Sequence, residues 1–243
     1  MFFRVMFSRL MWTMLLLALA FVGIVSVRNT MRAHPERLPW TPLSLLAPVG
    51  PFTGAKLARL ADDPPQCRQL LGDAGARFTP LPPIGGAQCG YGDGVILPEN
   101  RPQTTRFRPA GLKLACPVAA ALLVWDREVV RPAALRHFGE PVASIAHLGS
   151  FNCRRIAGSS GWSEHATADA IDIAGFTLKS GRRIRVLGDW QGTPAERAFL
   201  REVRDGACGV FATVLSPDYN AAHADHFHFD QAARGKTGRQ FCR

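Results

Sequence analysis

Two short strings hold most of the side chains in this sequence that could do chemistry, SEHATADAIDIAGF at 163–176 and HADHFHFD at 223–230. In the first, Asp172 stands in the middle of Ala170-Ile171-Asp172-Ile173-Ala174. Read as a strand, that order sends both isoleucines to one face and the carboxylate to the other. A carboxylate among apolar residues costs several kcal/mol to desolvate unless a cation or hydrogen bonds compensate, and a bound metal is one such compensation. In the second string His226 and His228 are two apart, so on a strand both imidazoles share a face while Phe227 and Phe229 pack on the other. With His165, these strings supply imidazole nitrogens and a carboxylate oxygen, the donor set of a zinc ion that keeps one position open for water. Such a zinc activates water and polarises a carbonyl, which hydrolyses an amide without a covalent intermediate. The helical HExxH signal of zinc proteases is absent.

These strings need elements to hold them. Residues 170–178, a turn at 179–182 and residues 183–187 read as a hairpin, with further strands at 210–215 and 227–230. From Cys116 the run CPVAAALLVWDREVV predicts a buried helix with Pro117 in its first turn. Residues 132–137 predict a second, shorter helix ended by Gly139. A third begins at Thr193, where Pro194 and Glu196 complete a capping box; Phe199, Leu200 and Val203 give it an apolar face and Gly206 ends it. Residues 56–61 read as a short helix ended by Asp62-Asp63-Pro64-Pro65, and the Gly- and Pro-rich stretch on to Gly94 as loops and short strands. The sum is an α+β domain over residues 56–243, a mostly antiparallel sheet with flanking helices.

Two segments precede that domain. Residues 10–27 carry no charge and are flanked by Arg4, Arg9, Arg28 and Arg32. As a helix this run spans roughly 27 Å, close to the hydrocarbon thickness of a bilayer. Residues 1–30 are therefore read as an N-terminal signal anchor, a single transmembrane helix. Ala18-Leu19-Ala20 resembles a cleavage site, which keeps a removed signal peptide as the alternative, although the apolar run continues past it. Between 31 and 55, prolines at 35, 39, 42, 48 and 51 favour an extended linker.

Cysteine usage sets the compartment. Cys67, Cys89, Cys116, Cys153, Cys208 and Cys242 all follow the apolar run, an even number with no CxxC spacing, which fits three disulfides in an oxidising space. This places the C-terminal domain in the periplasm and the anchor in the inner membrane. The pairing is open at this level. The balance of 29 basic against 19 acidic residues gives a net charge of +10, and only four of the 29 are lysines. Such a surface suits an anionic envelope polymer such as peptidoglycan, or lipid headgroups. Nucleic acid is not expected, since the arginines are scattered and no helix-turn-helix or RNP pattern occurs.

The pattern Ser163-x-His165-x-x-x-x-Ala170-x-Asp172 followed by His226-x-His228 resembles the zinc site shared by the lysostaphin, VanY-type D,D-carboxypeptidase and hedgehog group. From about Pro39 to Cys242 the chain is also similar to the bacterial extensin-like protein C-terminal family, in its SFNCR, SEH…DI and DHFHFD strings. The resemblance implies a hedgehog/D,D-peptidase-like fold with Zn2+ on His165, Asp172 and His228. It implies a catalytic base at either Asp225, three before the last ligand, or His226, and strand period favours His226. Arg154 would stabilise an oxyanion or bind a substrate carboxylate, with Arg155 an equal candidate by charge. Ser163 would bond substrate or cap a turn, and His223 and Asp230 would orient the ligands. Position 168 departs from the group, being Ala where Gly is usual. The implied function is a zinc-dependent peptidase or amidase acting on peptidoglycan peptides; the alternative is a non-catalytic wall-binding or adaptor module with a structural zinc.

Overall fold

The computed structural model describes residues 2–86, 88–97, 105–233 and 240–243. Helix α1 (Phe2–Ala33) includes a candidate span, Arg9–Ala33, whose 18-residue apolar window has a mean hydropathy of 2.4 and is not buried by the rest of the described residues. It is long and apolar enough to cross a bilayer, as a signal sequence is too.

The proline-rich segment after α1 differs from the extended linker read in the sequence. Prolines remove backbone donors and so prevent a ladder, but they leave side chains free to pack and carbonyls free to accept. Leu45 is buried in the core with Leu43 and Val49 packed beside it. Arg127 donates to the carbonyls of Leu45 and Ala47, and Lys56 Nζ to Pro35 O and Thr41 Oγ1. Helix α2 (Thr53–Ala58) and a 3-10 turn (Arg59–Asp62) follow. Helix α3 (Pro64–Asp73) then lies where loops were expected. Asp63 and Pro64, read as terminators, are its start: the Asp63 carboxylate accepts from Gln66 N–H, and Pro64 sits where no intrahelical donor is needed.

Helix α4 (Cys116–Trp125) is buried on nearly every side, which explains an alanine- and valine-rich sequence without an amphipathic stripe. It does not stop before the second helix. A π-helical turn (Asp126–Val130) carries it directly into α5 (Arg131–Phe138), which accommodates Pro132 within one continuous rod. Gly139, at φ 69°, ends it in the left-handed conformation. Further along, α6 (Val186–Asp189) is a single turn, and α7 (Pro194–Ala207) starts on the capping box that Thr193 and Glu196 form.

Strands β1 (Thr79–Pro80), β2 (Val95–Ile96) and β4 (Lys113–Leu114) make a small antiparallel sheet, while β3 (Arg106–Arg108) belongs to the main one. The main sheet also contains β5 (Val142–Gly149), β6 (Ala170–Leu178), β7 (Arg183–Arg185), β8 (Thr213–Leu215), β9 (Phe227–Asp230) and β10 (Phe241–Cys242). Its order is β10-β8-β9-β6-β5-β3, with β7 paired to the second half of β6. The central pairs are antiparallel, whereas β3–β5 and β8–β10 are parallel, so the sheet is mixed. Strand β5 was not legible because its side chains do not alternate cleanly; the register shifts three times along its pairing with β6. The expected strand 183–187 stops at Arg185, and the expected strand 210–215 begins only at Thr213.

One face of this sheet meets the helices. Ile171 and Ile173 on β6 lie opposite Phe229 and Phe227 on β9, and all four are buried. Trp125 of α4 packs edge-on to Phe229 and donates its indole N–H to Val203 O of α7, while Phe176 meets Phe199 of α7. Burying each of these large side chains stabilises the fold by about 1.5–3 kcal/mol. Three disulfides, Cys67–Cys116, Cys89–Cys153 and Cys208–Cys242, staple α3 to α4, the loop before β2 to the loop after β5, and the end of α7 to β10. The architecture is α+β.

Candidate metal centre

The other face of the same two strands carries the chemistry. Strand alternation places Asp172 directly across from His228 and Ala170 across from Asp230, so packing of the isoleucines and phenylalanines forces the polar set outward together. His165 arrives from a 3-10 turn (Glu164–Thr167) immediately before β6. Ser163 caps that turn, its Oγ accepting from His165 N–H at 3.4 Å, and Ala168 closes it at φ 59°. That left-handed conformation is one a residue with a Cβ adopts at a cost that glycine does not carry.

Three atoms converge: His165 Nε2 lies 3.1 Å from Asp172 Oδ1 and 3.2 Å from His228 Nδ1, and the last two are 3.0 Å apart. The remaining ring nitrogens settle the tautomers. His165 Nδ1 is 2.6 Å from Ser150 O, which only accepts, so Nδ1 carries the hydrogen and Nε2 the lone pair. His228 Nε2 is 3.2 Å from Asp230 Oδ2 and donates to it, which leaves the Nδ1 lone pair aimed at the triangle. Asp230 is held in turn by Ala232 N–H and by Thr213. Two imidazole lone pairs and a carboxylate oxygen thus meet in a site where His165 is only 2% exposed. Three acceptors at these separations, one buried and two half-buried, repel unless something positive lies between them.

A tetrahedral metal with bonds of about 2.0–2.1 Å has donor–donor edges of about 3.3 Å, within a few tenths of an ångström of the observed triangle. The donors therefore fit a cation, and this is the group of His, Cys, Asp and Glu among the described residues that could hold one. Without it a proton does the job. Burial opposes charging His228, but hydrogen bonds to Asp172 and Asp230 and their negative charges outweigh that and push its pKa up to about 9. Burial likewise disfavours the Asp172 carboxylate, but its hydrogen bonds to His165 and His228 win and hold it well below the ordinary range.

His226 and Asp225, alternatives in the sequence, form a pair here. The Asp225 carboxylate accepts from His226 Nδ1 at 2.7 Å and is itself 53% exposed, on the far side of the ring from the triangle. His226 Nε2 points the other way and lies 3.5 Å from Asp172 Oδ1. His223, expected to orient the ligands, makes no hydrogen bond to the three donors, and its ring meets that of His228 edge-on at 6.0 Å. It bonds Asn220 Oδ1 through Nδ1 at 2.7 Å, meets Tyr219 edge-on and lies tilted against His226. Burial, with the charges of His226 and His228 adding, lowers its pKa to about 4, so it is neutral at pH 7.

A cavity of about 570 Å³ opens beside these rings, walled by Arg154 and Ser163 on one side and Tyr219 and His223 on the other. Arg154 is exposed at its rim. Arg155 turns away: its guanidinium stacks 4.7 Å over Trp162 and bonds Ser160 O, pinning the 154–163 hairpin, so it is not in the cavity wall. Sequence reasoning missed Ser150, which acts through a carbonyl and leaves no side-chain signal, and Asn220, whose role depends on a loop.

The model of the extensin-like protein C-terminus matches residues 65–243, which contain all of these groups. No curated protein and no solved structure matches the chain.

Proposed function

The chain belongs to the extensin-like protein C-terminus family, and from the site within the matched region we propose that it is a zinc-dependent peptidase or amidase acting on peptidoglycan peptides outside the inner membrane. The observation that supports this most is the pairing of a three-donor metal centre with a third imidazole, His226, whose Nε2 faces the same point beside an open cavity. A zinc held by His165, Asp172 and His228 would polarise an amide carbonyl and lower the pKa of a water. The protein's own residues supply the rest. His226 Nε2 takes the proton of the attacking water as general base, and Asp225 keeps the ring in the tautomer that can do so. Ser150 and Asp230 hold the ligand rings through their other nitrogens. Arg154 offers a cation to a carboxylate of the substrate or to the oxyanion of the tetrahedral intermediate. The neutral His223, with Nδ1 donating to Asn220, offers an acceptor at Nε2 to a substrate N–H.

A structural zinc in an adaptor has no use for a free base beside the donors, which is why hydrolysis is the preferred reading. The net charge of +10 suits an anionic wall polymer, and the three disulfides together with α1 support a periplasmic domain retained by a single span. The test measures zinc content and muropeptide release for the wild type and for His165→Ala. Release that needs both zinc and His165 supports hydrolysis, and zinc bound without cleavage of any wall fraction overturns it.

A further inference from the structure

The segment that joins α1 to the domain carries a second feature of the molecule. From residue 38 to residue 55 there are 18 consecutive uncharged residues, in a chain that is 20% charged and has a net charge of +10. The inward side of this run is accounted for: Thr41 and Leu45 are buried, and Leu43 and Val49 pack against the core. Its outward side is not. Pro39, Trp40, Pro42, Ser44, Leu46 and Pro48 are all exposed, Trp40 at 65% and Leu46 at 61%. Outside α1, Trp40 is the one exposed tryptophan, since Trp125 and Trp190 are buried and Trp162 is half-buried.

We infer that this outward face is a membrane-surface contact: it seats the domain on the headgroup layer of the bilayer that α1 enters. Chain continuity argues for that occupant. Trp40 lies seven positions after the end of α1 at Ala33, a reach of at most about 25 Å. Arg28, Arg32 and Arg37 stand between the apolar run and Trp40, the basic and aromatic combination that suits the interface. The face is not a flexible tether either. Arg127 holds its backbone at Leu45 and Ala47, and Lys56 holds the Thr41 hydroxyl and Pro35 O just before it, so a side chain that enters the headgroups fixes the height of the whole domain. The metal centre then works within a set distance of the membrane instead of ranging through the wall.

The inference rests on α1 being retained, and the experiment separates the two. All six native cysteines are in disulfides, so a single added cysteine can be labelled selectively. The full chain is placed in lipid nanodiscs with a spin label at Leu46→Cys, at Val22→Cys in α1, or at Leu187→Cys, which is 68% exposed in α6. Collision with oxygen and with a water-soluble nickel chelate is then measured. Seating predicts that Leu46 loses nickel accessibility several-fold on nanodisc insertion while Leu187 keeps it. A Leu46 label as open to nickel as Leu187, with Val22 embedded, overturns the seating; a Val22 label open to nickel overturns the anchor and the seating with it.

Discussion

The catalytic proposal lives in single atoms, above all the Nε2 lone pair of His226. His226→Ala should abolish hydrolysis and leave zinc bound, because none of its atoms belongs to the donor triangle. Asp225→Asn keeps the ring but weakens its orientation. It should lower kcat by about 10–100-fold with KM and zinc content unchanged, less than the 10²–10⁴ that general-base catalysis contributes in full. Steady-state rates beside metal analysis check both, and loss of zinc in either variant would show that the pair is structural. A second prediction at this scale concerns pH. His228 holds a proton up to about pH 9 when no metal is bound, so a metal must expel it. Zinc affinity should therefore rise with pH through the neutral range, about tenfold per unit, and level off near pH 9. Titration against a chelator at several pH values reads the slope directly. A flat profile would mean that Asp172 and Asp230 do not hold that proton.

At the scale of elements, the site depends on which way two strands face. Phe229 sits on β9 next to His228 and fills the core with Trp125 and Phe211. Phe229→Ala should cost about 3–5 kcal/mol of stability and, by loosening β9 against β6, weaken zinc binding without touching a ligand. Denaturation of the zinc-free protein alongside zinc titration distinguishes the two effects. Elements also show where local signals succeed and fail. The capping box at Thr193 and the alternation of 170–174 and 227–230 are written in a few adjacent residues, and both stand in the structure. Asp63-Pro64-Pro65 is equally local but ambiguous, since Asp-Pro both ends one helix and caps the next. Strand β5 is stabilised by bulged pairing with β6, a contact that no pattern within 142–149 records.

Across the whole molecule, three disulfides and a docked N-terminal segment tie distant parts of the chain together. Cys67 and Cys116 are both fully buried and close a loop with a sequence separation of 49. Replacing both with serine should cost about 3–4 kcal/mol and lower the metal centre's affinity less than loss of a ligand does, because the bridge holds α3 to α4 and reaches the site only through the Ala115 N–H bond to Ala168 O. Thermal unfolding with and without zinc would measure it, and a loss of zinc affinity as large as that of a ligand variant would contradict it.

By itself, the sequence determined the apolar N-terminal run, the even set of cysteines, the α+β pattern and the candidates His165, Asp172, His226 and His228. Each of these is a matter of composition or of spacing within about ten residues. Only the tertiary structure decided which cysteines pair, that residues 38–55 lie on the domain, and that Asp225 bonds His226 while His226 faces a triangle drawn from two strands and a turn. Those outcomes depend on contacts between residues tens of positions apart, whose geometry is set by packing of the opposite face of the sheet.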